Sequence, residues 1–144
     1  MIFEKEPQPF SPRFEIVSCF FEHDGKILLL HRQDHKSEGN TWGVPAGKME
    51  LGELPEQAIL RELKQETGYQ AKSGELSYFK KVYVQYPNYE FVYHIYHLML
   101  SRKVDIKINP GEHKNYQWVT PTQALQEVLI PDLDACLRLF YHLR

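Results

Sequence analysis

The sequence has few of the features that mark secreted, membrane-spanning or nucleic-acid-binding proteins. Only two of its 144 residues are cysteines, Cys19 and Cys136, and they lie far apart, so neither a disulfide framework nor a cysteine-based zinc site is expected. No run approaches the roughly 20 apolar residues of a membrane-spanning helix, and the N-terminus lacks the apolar stretch of a signal peptide. The net charge is only −2, which provides no basic field to attract nucleic acid or a membrane surface. These absences predict a soluble, cytoplasmic protein whose partners include neither nucleic acid nor a membrane.

What is present is typical of one globular domain. The hydrophobic (42%) and charged (25%) fractions lie close to globular averages, and a chain of this length can bury a core without cross-links. Pro7, Pro9 and Pro12 predict that residues 1–12 form a flexible, extended N-terminal arm. Residues 13–144 contain no linker and no repeat, and we expect them to form a single domain.

Strands are predicted in the first and central parts of the chain. Phe14–Glu22 and Lys26–Arg32 are rich in Phe, Ile, Val and Leu and flank Asp24-Gly25, which predicts a hairpin. Leu76–Tyr86 and Tyr89–Leu100 predict a second pair of strands. The last of these is apolar on both faces, which indicates a sheet covered on each side by helices.

The remaining elements are shorter or lie near the C-terminus. Further strands are predicted at Thr41–Ala46, Val104–Ile108 and Tyr116–Val119. The clearest helix covers Leu54–Thr67, with Gly68 placed for a left-handed C-cap; a capping box at Thr120 predicts another helix to about Val128, and a third follows Pro131.

The segment Gly47–Tyr69 carries the clearest chemical signal. Its helical part includes Glu62, Gln65 and Glu66, which fall within an arc of about 100° on an α-helix. Two carboxylates at i and i+4 repel each other by about 0.2–0.5 kcal/mol, and their neighbours offer little counter-charge. A hard cation such as Mg²⁺ or Mn²⁺ accounts for this cluster better than a solvated helix face, because these ions prefer oxygen ligands.

The same segment resembles the signature of the Nudix hydrolases. That signature is a glycine, a glutamate after five intervening residues and, after seven more, Arg-Glu-aliphatic-any-Glu-Glu-any-Gly-aliphatic. The sequence matches it in register at Gly47, Glu53, Arg61, Glu62, Leu63, Glu66 and Gly68. It departs at Gln65, which replaces the first glutamate of the pair, and at Tyr69, which replaces the last aliphatic residue. The resemblance implies the α/β (α+β) class and an α/β/α sandwich with a mixed sheet between helices.

The resemblance also implies a metal site. Glu62, Glu66 and the carbonyl of Ala46 are expected to hold Mg²⁺, with Mn²⁺ as the other candidate. Gln65 is expected to contribute a weaker amide oxygen, so that fewer or more loosely held ions bind.

Four other residues receive roles from the resemblance. Glu53 and Arg61 are expected to form a structural ion pair. Arg32 lies where many members place a phosphate-contacting arginine, and Lys48 is a second candidate for contact with substrate phosphate.

Glu112 resembles a late-loop glutamate that some members use as a general base or as an extra metal ligand. The predicted catalytic residues are therefore Glu62 and Glu112, either of which would accept the proton of the attacking water.

Histidines and aromatic residues give weaker indications. His94 and His97 lie three apart on a predicted strand, so they face opposite sides and cannot chelate one ion. The other histidines have no ligand spacing and are expected at the surface or in loops: His23, His31, His35, His113 and His142. The aromatic residues between positions 78 and 96 fit a core better than a base-stacking platform. Trp118, Tyr83 and the loop Gln33–Thr41 are candidates for base recognition.

The sequence therefore predicts an enzyme, a Nudix pyrophosphohydrolase that cleaves a diphosphate bond in a small nucleoside diphosphate-linked substrate. A nucleoside triphosphate is favoured because GKMELGE followed by PEQA resembles the MutT-like branch of the family. ADP-ribose or another nucleotide sugar, and a diadenosine polyphosphate, are the alternative substrates. A non-catalytic nucleotide-binding module is a different alternative, indicated only by Gln65. The protein is also a candidate for forming a homodimer.

Overall fold

The computed structural model describes residues 1–144. An eight-stranded mixed sheet forms the centre of the protein. Its strands are β1 (Ile2–Phe3), β2 (Phe14–His23), β3 (Lys26–Arg32), β4 (Trp42–Gly43), β5 (Ala46–Lys48), β6 (Leu76–Gln85), β7 (Glu90–Leu100) and β8 (His113–Val119). The main order is β1-β6-β7-β2-β3-β4, while β5 pairs with β2 and β8 pairs with β3. Strands β2 and β7 are parallel and the other pairs are antiparallel.

The hairpin predicted around Asp24-Gly25 is present but opens soon after its turn. Strands β2 and β3 pair only at Glu22–Ile27 and His23–Lys26. Further along, β5 pairs with β2 and β4 pairs with β3. The segment that precedes the first helix therefore lies in the opening between two central strands.

Helices cover both faces of the sheet, as the pattern of β7 predicts. The helices are α1 (Pro55–Thr67), α2 (Pro121–Ala124) and α3 (Leu133–Tyr141), with a 3₁₀ turn at Ser73–Glu75. Ile59 and Leu63 of α1 belong to one core cluster with Phe21 of β2. Leu137 of α3 belongs to the other cluster with Phe20. Adjacent strand residues point to opposite faces, so this arrangement confirms the predicted sandwich.

The strand predicted at Val104–Ile108 is absent. Its three apolar residues pack against the core cluster beneath α1, but the backbone has no strand partner. Instead the amide of Lys107 donates to the carbonyl of Thr67 at 2.8 Å. The alternating pattern correctly indicated which side chains face the core, but it does not determine the backbone pairing.

The helix predicted from Thr120 to about Val128 is much shorter than expected. The capping box is present, since Gln123 N donates to Thr120 Oγ1 at 3.1 Å and Thr120 N donates to Gln123 Oε1 at 3.0 Å. Helix α2 nevertheless ends at Ala124. Beyond it the chain crosses to β4, where Trp42 N donates to the carbonyl of Val128 at 2.8 Å. Tertiary pairing thus replaces the continuation of the helix.

Other segments also differ from the predictions. The single strand predicted at Thr41–Ala46 is two short strands, β4 and β5, and β8 begins at His113 rather than Tyr116. The N-terminal arm is anchored at its start: Ile2 pairs with Val84 of β6 and packs against the core. None of the helices combines the length and the apolar character that a membrane-spanning helix requires.

Candidate active site

Helix α1 presents the candidate metal ligands because both of its ends are fixed. Leu54 has no side chain that can cap, but its amide donates to Oε1 of Gln57 at 2.9 Å, and Pro55 occupies the first turn. Gly68 ends the helix with φ 79°, a left-handed conformation that glycine adopts without a Cβ clash. One face of α1 packs in the core, and the adjacent face directs Glu62 and Glu66 toward β5.

Strand β5 holds these two carboxylates at close range. The amide of Ala46 donates to Oε1 of Glu66 at 2.9 Å. A Cβ at Gly47 would overlap the carboxylate of Glu62. The signature glycine thus lets the backbone of β5 approach the carboxylate of Glu62 closely, and any side chain at position 47 would displace that carboxylate.

Arg61 joins the loop before α1 to the helix. Its Nε and Nη2 donate to the two oxygens of Glu53 at 2.7 and 2.9 Å, which is the forked geometry of strong guanidinium–carboxylate pairs. Nη1 donates to Glu62 at 2.7 Å and Nη2 to the carbonyl of Lys48 at 3.1 Å. The Arg61 hydrogen bonds lower the pKa of Glu53 to about 2. This geometry supports a structural role for Glu53 and Arg61.

Gln65 does not lie where a metal ligand was expected. It is exposed, it does not line the cleft described below, and its Oε1 accepts from Nη1 of Arg61 at 3.3 Å. It lies at the solvent edge of the arc predicted on the helix, because Glu62 and Glu66 occupy the buried side.

The turn before β8 and the first residue of that strand bring Glu112 and His113 to the same place. A turn with hydrogen bonds from Glu112 N (3.0 Å) and His113 N (2.9 Å) to the carbonyl of Asn109 precedes β8. One ligand atom each from Glu66, Glu112 and His113 lies within 4.8 Å of the other two. Glu66 and His113 are 4% and 3% exposed. The prediction that His113 is a surface or loop residue is therefore wrong.

The carboxylates of this cluster carry more negative charge than the protein balances. Burial raises the pKa of Glu66 well above its usual value, and Glu62 and Glu112 raise it further. Burial also raises the pKa of Glu62, against the opposing effect of Arg61. A divalent cation would offset this repulsion, and oxygen donors are suitable ligands for one. The residues present therefore fit the predicted metal.

A cleft of about 720 Å³ extends from this cluster. Its polar wall includes Arg32 and Lys48, the two predicted phosphate contacts, and also Arg13 and Lys36, which the sequence did not single out. Arg32 Nε donates to the carbonyl of Ser37 at 2.8 Å. Lys48 places its ammonium 4.3 Å from the ring centroid of Phe14, a cation–π contact.

The cleft is also lined by four aromatic residues, Tyr86, Tyr89, Phe91 and Tyr93, which belong to or pack against the core cluster beneath α3 as expected. Two predicted base-recognition residues do not line the cleft. Trp118 packs beside the core cluster under α1, and Tyr83 packs against Phe10 with ring centroids 5.3 Å apart. The loop 33–41 does contribute, through Lys36, Ser37 and Glu38.

Similarity to known proteins identifies the family. Residues 12–141 match the family described as NUDIX domain. The chain belongs to the Nudix family. This confirms the resemblance seen in the sequence, and it assigns the protein to a family of hydrolases that use a divalent metal.

Two relatives show how far the similarity extends. This Nudix chain is 34% identical over 132 residues to the CTP pyrophosphohydrolase of Escherichia coli (strain K12), covering 90% of this chain and 93% of that protein. It is 35% identical over 83 residues to an ADP-ribose pyrophosphatase of Bacillus subtilis (strain 168), covering 58% and 42%. The family and these relatives confirm that the protein is an enzyme acting on pyrophosphate bonds.

Solved structures agree with the fold. The solution structure of the E. coli ORF135 protein matches with a TM-score of 0.74 and 30% identity, covering 91% of this chain and 90% of that one. A MutT protein from Methanosarcina mazei Go1 matches with a TM-score of 0.76 at 21% identity, covering 91% and 94%. The second match supports the fold alone.

Proposed function

We propose that this Nudix protein hydrolyses a diphosphate bond of a nucleoside triphosphate in a Mg²⁺-dependent reaction. The observation that carries the proposal is a set of three carboxylates in one cleft: the buried Glu62 and Glu66 and the half-buried Glu112. The same cleft is lined by basic and aromatic side chains. Such a cleft offers oxygen ligands for the metal, cations for the phosphates and aromatic rings for a base. The near full-length similarity to a CTP pyrophosphohydrolase supports a triphosphate as substrate.

The side chains divide the work of the proposed reaction. When bound, the divalent cation neutralises phosphate charge and lowers the pKa of an attacking water. Arg32 and Lys48 bind and orient the phosphate oxygens. Glu62 or Glu112 accepts the proton of the water. Arg61 holds Glu62 by a 2.7 Å hydrogen bond, which restricts its orientation.

The alternatives have less support. The similarity to an ADP-ribose pyrophosphatase covers 58% of the chain, so ADP-ribose remains the first alternative substrate, with diadenosine polyphosphates after it. The non-catalytic module was indicated by Gln65 alone, and Gln65 lies outside the cleft. A homodimer and a cytoplasmic location stay predictions.

A substrate panel tests the proposal. Purified protein is incubated with the four ribonucleoside triphosphates, ADP-ribose and diadenosine tetraphosphate, with and without Mg²⁺, and products are resolved by chromatography. We expect Mg²⁺-dependent release of pyrophosphate from at least one triphosphate, at a kcat/KM above that for ADP-ribose. Turnover of ADP-ribose alone would reassign the substrate, and no turnover of any compound would favour the non-catalytic module.

Variants connect the activity to the cluster. Glu62→Gln should reduce turnover by orders of magnitude while the fold is retained. Glu56→Gln is the matched control, because Glu56 lies exposed on the first turn of the same helix. Equal activity in both variants would contradict the assignment of Glu62.

A further inference from the structure

His113 is a buried histidine with an unused ring nitrogen. It is 3% exposed, and its Nδ1 is buried without any hydrogen-bond partner. Buried polar groups in proteins are almost always paired. A neutral imidazole can leave one nitrogen as an acceptor, and an acceptor nitrogen is also a metal ligand.

A β-bulge places this histidine beside the carboxylates. In the β3–β8 pairing, His31 is opposite Asn115, but Arg32 is opposite His113, so the register shifts by one residue. In the regular register Arg32 would face Lys114. Paired residues share a face of the sheet, so the bulge moves His113 to the face of Arg32. One of its ring nitrogens lies within 4.8 Å of carboxylate oxygens of both Glu66 and Glu112.

We propose that His113 is a nitrogen ligand of the divalent cation held by Glu66 and Glu112, and that it raises the affinity of the site for first-row transition ions relative to Mg²⁺. The proposal rests on the metal site of the proposed function. Imidazole suits transition ions, whereas Mg²⁺ prefers oxygen ligands alone. Mg²⁺ would still bind through the carboxylates, so the histidine affects which ion binds best and not whether one binds.

Pulsed electron paramagnetic resonance of the Mn²⁺-loaded protein tests the ligation directly. We expect modulation from a directly coordinated nitrogen, and its frequency should change when the protein is labelled with ¹⁵N-histidine. The signal should disappear in His113→Gln and persist in His94→Gln. His94 is a matched control because it is buried too but pairs with Tyr78 and Glu15 outside the cleft. Absence of nitrogen modulation in the wild type, or its persistence in His113→Gln, would overturn the proposal.

Titration calorimetry tests the selectivity. His113→Gln should weaken Co²⁺ binding by about 10–100-fold, the range seen when residues supporting a metal site are altered, and weaken Mg²⁺ binding by less than about 3-fold. Equal weakening for both ions would indicate a structural role and overturn the proposal. If His113→Gln does not fold, the ¹⁵N-histidine experiment on the wild type decides the question.

If the proposed function is wrong, the same experiments give a different result. If the wild type binds neither ion, or if Glu66→Gln binds both unchanged, the metal site itself is wrong. If both ions bind through Glu66 but no nitrogen is coordinated, only the role of His113 is wrong.

Discussion

Two buried carboxylates on opposite sides of the sheet differ in the hydrogen-bond partners that the protein provides for them. Glu22, toward α3, is 8% exposed. It accepts hydrogen bonds from the hydroxyl of Tyr141 at 2.6 Å and from Nε2 of His97 at 2.9 Å. Both partners come from distant parts of the chain, so this carboxylate ties α3 and β7 to β2.

Glu66, which lies on α1, has fewer hydrogen-bond partners. It accepts one backbone hydrogen bond, from Ala46 at 2.9 Å, and otherwise lies near the carboxylates of Glu62 and Glu112, which raise its pKa. No cationic side chain hydrogen-bonds to it. A buried charge with so few partners destabilises a fold, so we infer that Glu66 serves the proposed metal site and not the stability of the fold.

The comparison therefore contrasts Glu22, whose partners are supplied by the chain, with Glu66, whose charge we propose is balanced by a bound cation. Substitutions at the two positions should therefore have opposite consequences for activity and for stability.

The largest effect is expected at Glu66. Glu66→Gln should reduce turnover by at least about 100-fold, because altering residues that merely support a metal site already costs 10–100-fold. The melting temperature of the metal-free protein should stay unchanged or rise, since a repulsive charge is removed. Steady-state kinetics and thermal unfolding in chelator measure the two quantities. A large loss of stability without a loss of turnover would reverse the comparison.

Glu22→Gln should show the opposite behaviour. The substitution leaves one donor facing another in a buried network, and we expect a loss of about 1–3 kcal/mol in the free energy of unfolding. Turnover at a temperature well below unfolding should change less than about 2-fold, because Glu22 does not line the cleft. Chemical denaturation provides the stability measurement. If Glu22→Gln abolishes turnover while its stability is intact, the distinction between the two carboxylates fails.

The pH dependence of stability should sharpen the contrast in the metal-free protein. The folded-state pKa of Glu66 is raised, so between the unfolded pKa of about 4.3 and the higher folded value the folded state binds more protons. The contribution of Glu66 to the free energy of unfolding therefore falls as pH rises through this window.

His113 has the opposite effect on the pH dependence of stability, since its folded pKa of about 4 lies below the unfolded value of about 6.5. The difference between wild type and Glu66→Gln isolates the carboxylate. We expect the variant to gain stability relative to the wild type as pH rises from about 4.3, and Mg²⁺ to reduce that gain. A difference that is constant with pH would contradict the raised pKa.

The predictable part of the site lies within one short segment. Glu62 and Glu66 are one turn apart, so helical periodicity alone places them together, and the glycine and Arg61 follow at fixed spacing. The main strands and the two hairpin turns were predictable for the same reason, since strand patterns and turns are local features.

The rest of the site depends on long-range register. His113 reaches the cluster only because β8 bulges against β3, and nothing in its neighbouring residues shows this. Lys36 reaches the cleft from a loop, and Arg13 reaches it from the position just before β2. Val104–Ile108 shows the same difficulty, because its backbone pairs with the end of α1 instead of a strand.

The smallest effect is expected at Gln65, and it tests how local the charge balance of the cluster is. From the sequence, Gln65→Glu would add a ligand and strengthen the Mg²⁺ dependence. In the structure, Gln65 is exposed and contacts Arg61 at 3.3 Å, so the new carboxylate would extend the Arg61 pairing in solvent, where ion pairs contribute about 0–1 kcal/mol. We therefore expect the Mg²⁺ concentration for half-maximal activity to change by less than about 2-fold. Measured beside Glu66→Gln, a several-fold decrease in that concentration would show that position 65 reaches the metal and that the cluster extends beyond the cleft.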